Sequence, residues 1–370
     1  MKIYRVGGSV RDYLLQIKNY DYDNDFVVFE TNEKQLLEKF PDLKKIGNRK
    51  PVFISGQNQF IISEYKDIYE DLDSRDLTIN AVAMDMDNKI IFHPEAEKDL
   101  HEKILRPVST HNFFSDPLRV FRAARFASQF HDFTISDELK NAMKLTAEKK
   151  LTSQISPERV GNELKKAFSS VAPEKFLLLL NETHNLNPWL KEFENSHKIP
   201  AGPVKYHGNS TLLTHTIRCM NKVYGNPLLV WMAFCHDIGK SRTPEDILPS
   251  HYKHEKNGAV LAEKLGKRLR LPNRFIQGGV LAAKNHMKTG QYEILKSSTK
   301  VKLLLELYNK DFFRELFIIT SADKEKNFFD SAEKDLKKIL SIKLPENKKN
   351  LGEKSGQILF QMQCEALKGR

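Results

Sequence analysis

The sequence predicts an α+β fold at the N-terminus, a small mixed sheet with helices, followed by helix alone toward the C-terminus. Three observations carry this. Short apolar runs bounded by glycine and acidic turns fill the stretch up to Val108; two helix starts of Asp/Ser-Pro type follow, at Asp116-Pro117 and Ser156-Pro157; and beyond them apolar residues recur at helical rather than alternating spacing. At 370 residues the chain exceeds what a single core organises. Domain boundaries are therefore expected at 1–112, 113–197 and 198–370.

Lys2–Val6 reads as a strand stopped by Gly7-Gly8, and Val10–Ile17 as the helix that follows. An acidic turn, Asn19–Asp25, leads into a second strand, Phe26–Phe29. Val52–Ile54, Phe60–Ser63, Leu77–Met84 and Lys89–Phe92 supply further β pattern, with Asp87-Asn88 as a turn. Asp116 is an N-cap with proline at the first helical position, and Ser156-Pro157-Glu158 repeats that signature before Val160–Phe168. Lys198–Gly208, with Pro200 and Pro203, is the candidate linker. Beyond it His215 opens a helical stretch, and Cys235-His236 closes the next.

A net charge of +11 with pI near 9.2 suits a polyanionic partner, since each neutralised phosphate releases counterions; a lysine-rich composition alone gives the same excess. Cys219, Cys235 and Cys364 have no C-x-x-C spacing, which argues against a disulfide framework or a cysteine zinc site. No apolar run approaches the roughly 20 residues of a membrane span, and the N-terminus lacks a signal-peptide core. A cytoplasmic protein without a membrane partner is expected.

Four features of the head stand in order: Gly7-Gly8-Ser9-Val10-Arg11-Asp12, Asp23-Asn24-Asp25-Phe26, Ser74-Arg75-Asp76-Leu77-Thr78-Ile79-Asn80, and Asp116 to Phe126. A strand, two glycines and a helix present backbone N–H groups to a phosphate, with Arg11 one turn inside the helix; a plain tight turn has the same pattern. Asp23 and Asp25, two apart at a strand mouth, leave the same face, and carboxylates that close repel unless a divalent cation shares them. The alternative is a solvated acidic turn. Arg119, Arg122 and Arg125 wind along one side of an otherwise apolar helix, where their burial is costly unless anions or structural carboxylates meet them. Asp116 can pair with Arg119 at i,i+3, and such an acceptor–donor pair can also read base edges.

In the C-terminal half, His215, His236-Asp237 and Asp323 follow in order, with His251, His254 and His286 between. Neutral imidazoles with carboxylates suit a divalent metal that activates water; histidines satisfied within a core are the alternative.

The head set resembles the class II tRNA nucleotidyltransferases, the CCA-adding family of the polymerase-β-type superfamily, over Met1 to about Leu164. That resemblance implies a nucleotidyltransferase head, a helical neck and body, and template-independent addition of CMP and AMP to tRNA, with tRNA, CTP and ATP as partners. It implies Mg²⁺ on Asp23 and Asp25, and nucleotide contacts from Gly8 and Arg11. Arg75, Arg122 and Arg125 would hold triphosphate or sugar, while Asp116 and Arg119 would face the base. The His215, His236, Asp237 and Asp323 set resembles the HD phosphohydrolases, implying a divalent metal (Mg²⁺, Mn²⁺ or Ni²⁺) and phosphatase or phosphodiesterase activity. The chain departs from the family pattern at Ser115, at Ser74, and in a short segment between Ile62 and Asp76. The last raises CC-only addition as an alternative; a poly(A) polymerase and an RNA-binding protein with HD hydrolase activity alone are more distant ones.

Overall fold

The computed structural model describes residues 1–17, 24–48 and 51–368. The chain folds as two compact units: Met1–Ile155 with Glu182–Asn185, and Ser156–Asn181 continuing from Leu186.

The first unit holds a seven-stranded sheet of β1 (Lys2–Val6), β2 (Asn24–Phe29), β3 (Lys44–Ile46), β4 (Val52–Ser55), β5 (Asn58–Ile62), β6 (Val82–Met84) and β7 (Ile90–Phe92), in the order β3-β4-β5-β2-β1-β6-β7. Its helices are α1 (Gly8–Leu14), α2 (Glu33–Lys39), α3 (Ile68–Asp73), α4 (Ala96–His101), α5 (Thr110–Ser115), α6 (Leu118–Gln129) and α7 (Asp137–Glu148). Alternation along the strands sends apolar residues to both faces. Ile3, Val28, Phe53 and Phe60 pack with Leu36 of α2 on one side. Val6, Val27, Phe29, Ala81 and Ala83 pack with Ile68 and Leu72 of α3 on the other.

Beyond Ser156 the structure is helical: α8 (Pro157–Phe168), α9 (Glu174–Glu182), α10 (Val204–His207), α11 (Leu212–Asn221), α12 (Pro227–Cys235), α13 (His254–Arg268), α14 (Asn273–Thr289), α15 (Ser297–Asn309), α16 (Phe313–Lys324), α17 (Phe329–Ser341) and α18 (Glu353–Ala366). Short 3₁₀ turns link several of them.

The expected α+β head and helical remainder are therefore present, with local corrections. Leu77–Met84 is not one strand. Its first half turns as a 3₁₀ helix, Thr78–Asn80, because Thr78 Oγ1 donates to Asp99 (2.6 Å) and Asn80 Nδ2 to Asp76 (2.9 Å). Helix begins before Ser115, at Thr110, where the Ser109 hydroxyl accepts from Asn112 N–H. Ser156 stands at the start of α8 with proline inside, yet its side chain makes no capping bond.

The expected boundaries near 112 and 197 both lie inside the two units. Asn112 Nδ2 donates to the carbonyls of Asp73 and Arg75 (2.7 and 2.8 Å), fastening α5 to the head. Arg268 pairs with Glu192 (2.6 Å) and donates to the Trp189 carbonyl, so that stretch belongs to the second unit. The supposed linker is built in as well, for Ala201 N–H donates to Ser210 and Lys240 Nζ donates to the Ala201 carbonyl (2.6 Å).

Candidate active sites

In the head, strand register brings the sequence motifs to one end of the sheet. β1 and β2 are antiparallel with Arg5 opposite Phe26, which sets the Gly7-Gly8 turn beside the start of β2, where Asp25 stands half-buried. β6 is antiparallel to β1, and Gly7 N–H donates to the Val82 carbonyl (3.0 Å), so the Arg75–Asn80 segment returns to the same end. Gly7 has φ +67, and a Cβ there would lie 3.2 Å from Arg75 Nη1. Glycine thus permits both the turn and the close seat of that guanidinium. Asp23 lies outside the described residues.

The arginines divide by what already holds them. Arg11 is buried at 4 % exposure, its guanidinium on Asp12 (2.8 and 2.9 Å) and Asn80, and against the rings of Phe126 and Phe130. That geometry locks α1 to the Thr78–Asn80 turn and α6 instead of presenting a phosphate ligand at the surface. Arg75 pairs with Asp71 (2.6 Å), and Arg119 Nη1 donates to the Arg75 carbonyl (3.3 Å). Arg122 Nε donates to Asp76 (2.7 Å). Arg125 lies over the Phe126 ring at 3.9 Å and donates to Gln129. Arg119, Arg122 and Arg125 are all half-buried in a helix whose apolar positions are buried, as expected of the stripe. Asp116, also half-buried, accepts from Leu118 N–H at the start of α6.

Asp76 is a hub that no local pattern in the sequence marks. Burial opposes its charge, but Arg122 beside it and hydrogen bonds from Asn80, Arg122 and Leu77 N–H hold its carboxyl well below the usual carboxylate range. A depressed carboxylate contributes stability above its unfolded value of about 3.9, lost as pH falls toward the folded value. Asp76→Asn is therefore expected to cost about 3 kcal/mol at pH 7, because it removes the buried carboxylate on which Arg122 Nε sits at 2.7 Å. The difference from the parent should shrink below about pH 4, as denaturant melts at pH 7 and pH 3 would show.

In the second unit, α11 carries His215, α12 ends at the His236-Asp237 pair, and α16 carries Asp323; all four are buried. Their ligand atoms converge. His215 Nε2 lies 3.1 Å from His236 Nε2, 3.2 Å from Asp237 Oδ2 and 3.2 Å from Asp323 Oδ1, and His236 Nε2 is 3.2 Å from Asp237 Oδ2. Cys219 Sγ stands 3.9 Å from His215 Nε2. α12 is apolar and buried along most of its length, with the Asn226 side chain capping its first N–H groups; the polar pair is thus delivered to the interior from its C-terminal end.

Burial disfavours charge throughout, and the cluster resists by pairing. Burial opposes protonation of His215, but bonds to Asp237, Asp323 and Cys219 outweigh it and its pKa is pushed up to about 11. Burial likewise opposes the charge of Asp237, yet Lys240, His236 and His215 hold it well below the usual range. Asp323 is held low against its own burial by His215, His236 and Lys324. The carboxylates demand a positive charge at their centre, and a divalent cation on these four residues would supply it.

Two further histidines join the cluster. His254, at the first position of α13, and His286 of α14 lie 3.5 and 3.3 Å from Asp237 Oδ1. His251 does not: its ring is taken by Thr243 (2.7 Å) and the Pro200 carbonyl (2.8 Å). The close seat of α13 rests on Gly239, where a Cβ would lie 1.9 Å from the His254 carbonyl oxygen and 2.6 Å from Gly258 N. A cavity of about 790 Å³, lined by Asp237, His254, His286 and Asp323, has Arg218 and Lys324 on its walls.

The family model described as the probable RNA and SrmB-binding site of polymerase A matches residues 132–196, and that of the HD domain matches residues 213–327. A multifunctional CCA protein of Legionella pneumophila (strain Philadelphia 1) is 34% identical over 353 residues, covering 88% of this chain and 85% of its own length. The chain belongs to the multifunctional CCA protein family. A further member, from Pasteurella multocida, is 33% identical over 356 residues, covering 87% of this chain and 83% of its own. Among solved structures, the Thermotoga maritima CCA-adding enzyme complexed with tRNA has a TM-score of 0.67 at 20% identity, covering 100% of this chain and 88% of that one. A CCA-adding enzyme with CTP gives 0.68 at 20% identity with the same coverage. At that identity the likeness speaks for the fold. Among the described residues, no helix of this CCA family member is long and apolar enough to cross a membrane.

Proposed function

We propose that the chain adds CMP and then AMP to the 3′ end of tRNA, with CTP and ATP as donors and pyrophosphate leaving. The observation that carries it is the convergence of Asp25, the Gly7-Gly8 turn and Arg75 at one end of the sheet in a multifunctional CCA protein. Asp23 and Asp25 would hold Mg²⁺, which when bound neutralises triphosphate charge and activates the attacking hydroxyl. Gly8, Arg75, Arg122 and Arg125 would receive phosphate and sugar, while Arg11 positions α1 from beneath. A cytoplasmic location goes with this reading, as do the basic charge and a tRNA partner.

Asp116 and Arg119 would select the base. Cytosine and adenine each offer an amino donor beside a ring-nitrogen acceptor, which an Asp–Arg pair matches; uracil and guanine reverse that order. Good bidentate base contacts are worth about 1–3 kcal/mol, so Arg119→Ala is expected to lower discrimination among CTP, ATP, UTP and GTP by roughly 10- to 100-fold. Equal weakening for all four would make Arg119 a phosphate ligand.

One observation favours CC-only addition as a second reading. The segment between Ile62 and Asp76 is short, and nearly half of it is the six-residue α3, whose Ile68 and Leu72 are anchored in the sheet core, so that little chain is left to move. tRNA ending at the discriminator base, incubated with CTP, ATP and Mg²⁺, decides on a sequencing gel. Product three nucleotides longer supports CCA addition; a stop at two, with no ATP incorporation into tRNA already ending in CC, supports the alternative.

For the second unit we infer hydrolysis of phosphate esters, with Mg²⁺, Mn²⁺ or Ni²⁺ held by His215, His236, Asp237 and Asp323. The cavity at Asp237 and Asp323, with Arg218 and Lys324 at its wall, would admit an anionic ester.

A further inference from the structure

We propose that Asn112 is a positioning residue that determines which base nucleotide addition accepts: its side-chain amide fixes the carbonyl of Arg75, and through it the guanidinium of Arg119. The proposal rests on the reading of Asp116 and Arg119 as the base-selecting pair and names what holds that pair in place.

The starting point is a helix end. The last carbonyls of α3, and those of the turn after it, have no partner within the helix and need donors from elsewhere. Asn112, the third residue of α5, supplies them. It is held in place by its own N–H, which donates to the Ser109 hydroxyl (3.2 Å), and it is 8 % exposed. Its Nδ2 lies 2.7 Å from the Asp73 carbonyl and 2.8 Å from that of Arg75. Carbonyls only accept, so both amide hydrogens are committed, one to each.

The Arg75 carbonyl has a second donor. Arg119 Nη1 reaches it at 3.3 Å, and this is the one hydrogen-bond partner of the Arg119 side chain among the described residues. The long stem of an arginine is costly to order, and here its tip is located by a single oxygen. Two lone pairs on that oxygen are filled by Asn112 and Arg119 together. Where it points is set by Asn112. Without the amide the peptide plane is free to turn, and the reference point of Arg119 turns with it.

The remaining parts of the site are held by other means. Asp71 grips the Arg75 guanidinium through Nε (3.0 Å) and Nη2 (2.6 Å), while Nη1 faces the Gly7 turn. Asp116 is held by main chain: its N–H donates to the Asn112 carbonyl (3.2 Å), and its own carbonyl accepts from Arg119 N–H (3.0 Å). Replacing the Asn112 side chain leaves both arrangements intact. The loss is therefore confined to the tip of Arg119, and falls on base selection instead of triphosphate binding.

The test follows addition by the full chain to tRNA ending at the discriminator base, with CTP or UTP supplied alone and inorganic triphosphate titrated as a competitor. Asn112→Ala is expected to lower the CTP-to-UTP ratio of kcat/KM by roughly 5- to 10-fold, with inhibition by triphosphate unchanged. Asn112→Ser, which keeps one donor for two carbonyls, should show a smaller fall, and it carries the test should Asn112→Ala fail to fold. Combined with Arg119→Ala, the Asn112 substitution should lower the ratio no further, since both remove the same contact. Losses that add in the double variant would show that Asn112 acts by another route and overturn the proposal. So would equal losses with CTP and UTP, the mark of a role in folding alone. An unchanged ratio in both Asn112 variants, beside a lowered one in Arg119→Ala, would overturn the proposal and leave the base-selecting pair standing. Equal weakening of CTP and UTP by Arg119→Ala would overturn both.

Discussion

Asp25→Ala is expected to abolish nucleotide addition while leaving the head folded. Its carboxylate leaves the second residue of β2, half-buried and outside both apolar clusters that hold the sheet, so little packing depends on it. What it would contribute is charge: a ligand to the ion that offsets the triphosphate and the attacking oxygen. Loss of several kcal/mol of such stabilisation lowers the rate by about 10³-fold or more. CTP incorporation into end-trimmed tRNA should fall by that factor, with the thermal melt shifted little. Asp23→Ala carries the same expectation from the sequence. Near-parental incorporation by either variant would remove the assignment of these carboxylates to Mg²⁺.

The second large effect is expected at Asp237. Asp237→Ala removes the carboxylate that His215, His236, His254 and His286 all face; bound metal should be lost, and hydrolysis of aryl or cyclic phosphates should fall by about 10³-fold or more. CMP transfer, carried by residues of the other unit, should persist. The substitution also strips Lys240 of its carboxylate at 2.6 Å, and a buried ammonium left unpaired costs about 3–5 kcal/mol. His236→Ala is the cleaner companion, since it leaves the Lys240–Asp237 pair in place. Hydrolysis that survives His236→Ala at the parental rate would restore the reading of these residues as ordinary core histidines.

Much of the fold, and the grouping of residues at both candidate sites, is legible in the sequence because the signals are local. Gly7-Gly8 after an apolar run, the Asp-Pro and Ser-Pro helix starts, and an arginine at every third position of an apolar helix each state their structure within a few residues. What is not legible depends on partners distant in the chain. Arg11 sits where a phosphate ligand would be expected by motif, yet Asn80 and the rings of Phe126 and Phe130 meet it inside the head. Asp76 and Asn80 are four apart in a segment whose β pattern conceals a turn closed by their own side chains. The helix α2 is absent from the expected elements, although Asn32 and Gln35 form a capping box that the sequence displays. His254 and His286 are visible as histidines, but nothing local separates them from His251; only the fold shows which rings turn inward.

Gly239 has a consequence for how that inward set is dimensioned. Two main chains touch there, the segment after the His236-Asp237 pair and the first turn of α13, with no side chain between them. The separation of Asp237 from His254 is consequently gauged by backbone against backbone, the stiffest spacer a polypeptide has. Rotamer changes elsewhere can tilt a ring or swing a carboxylate, but they cannot widen this gap. The reach from Asp237 to His254 is thus written into the main chain, and a side chain at position 239 would be felt in the cluster before anywhere else.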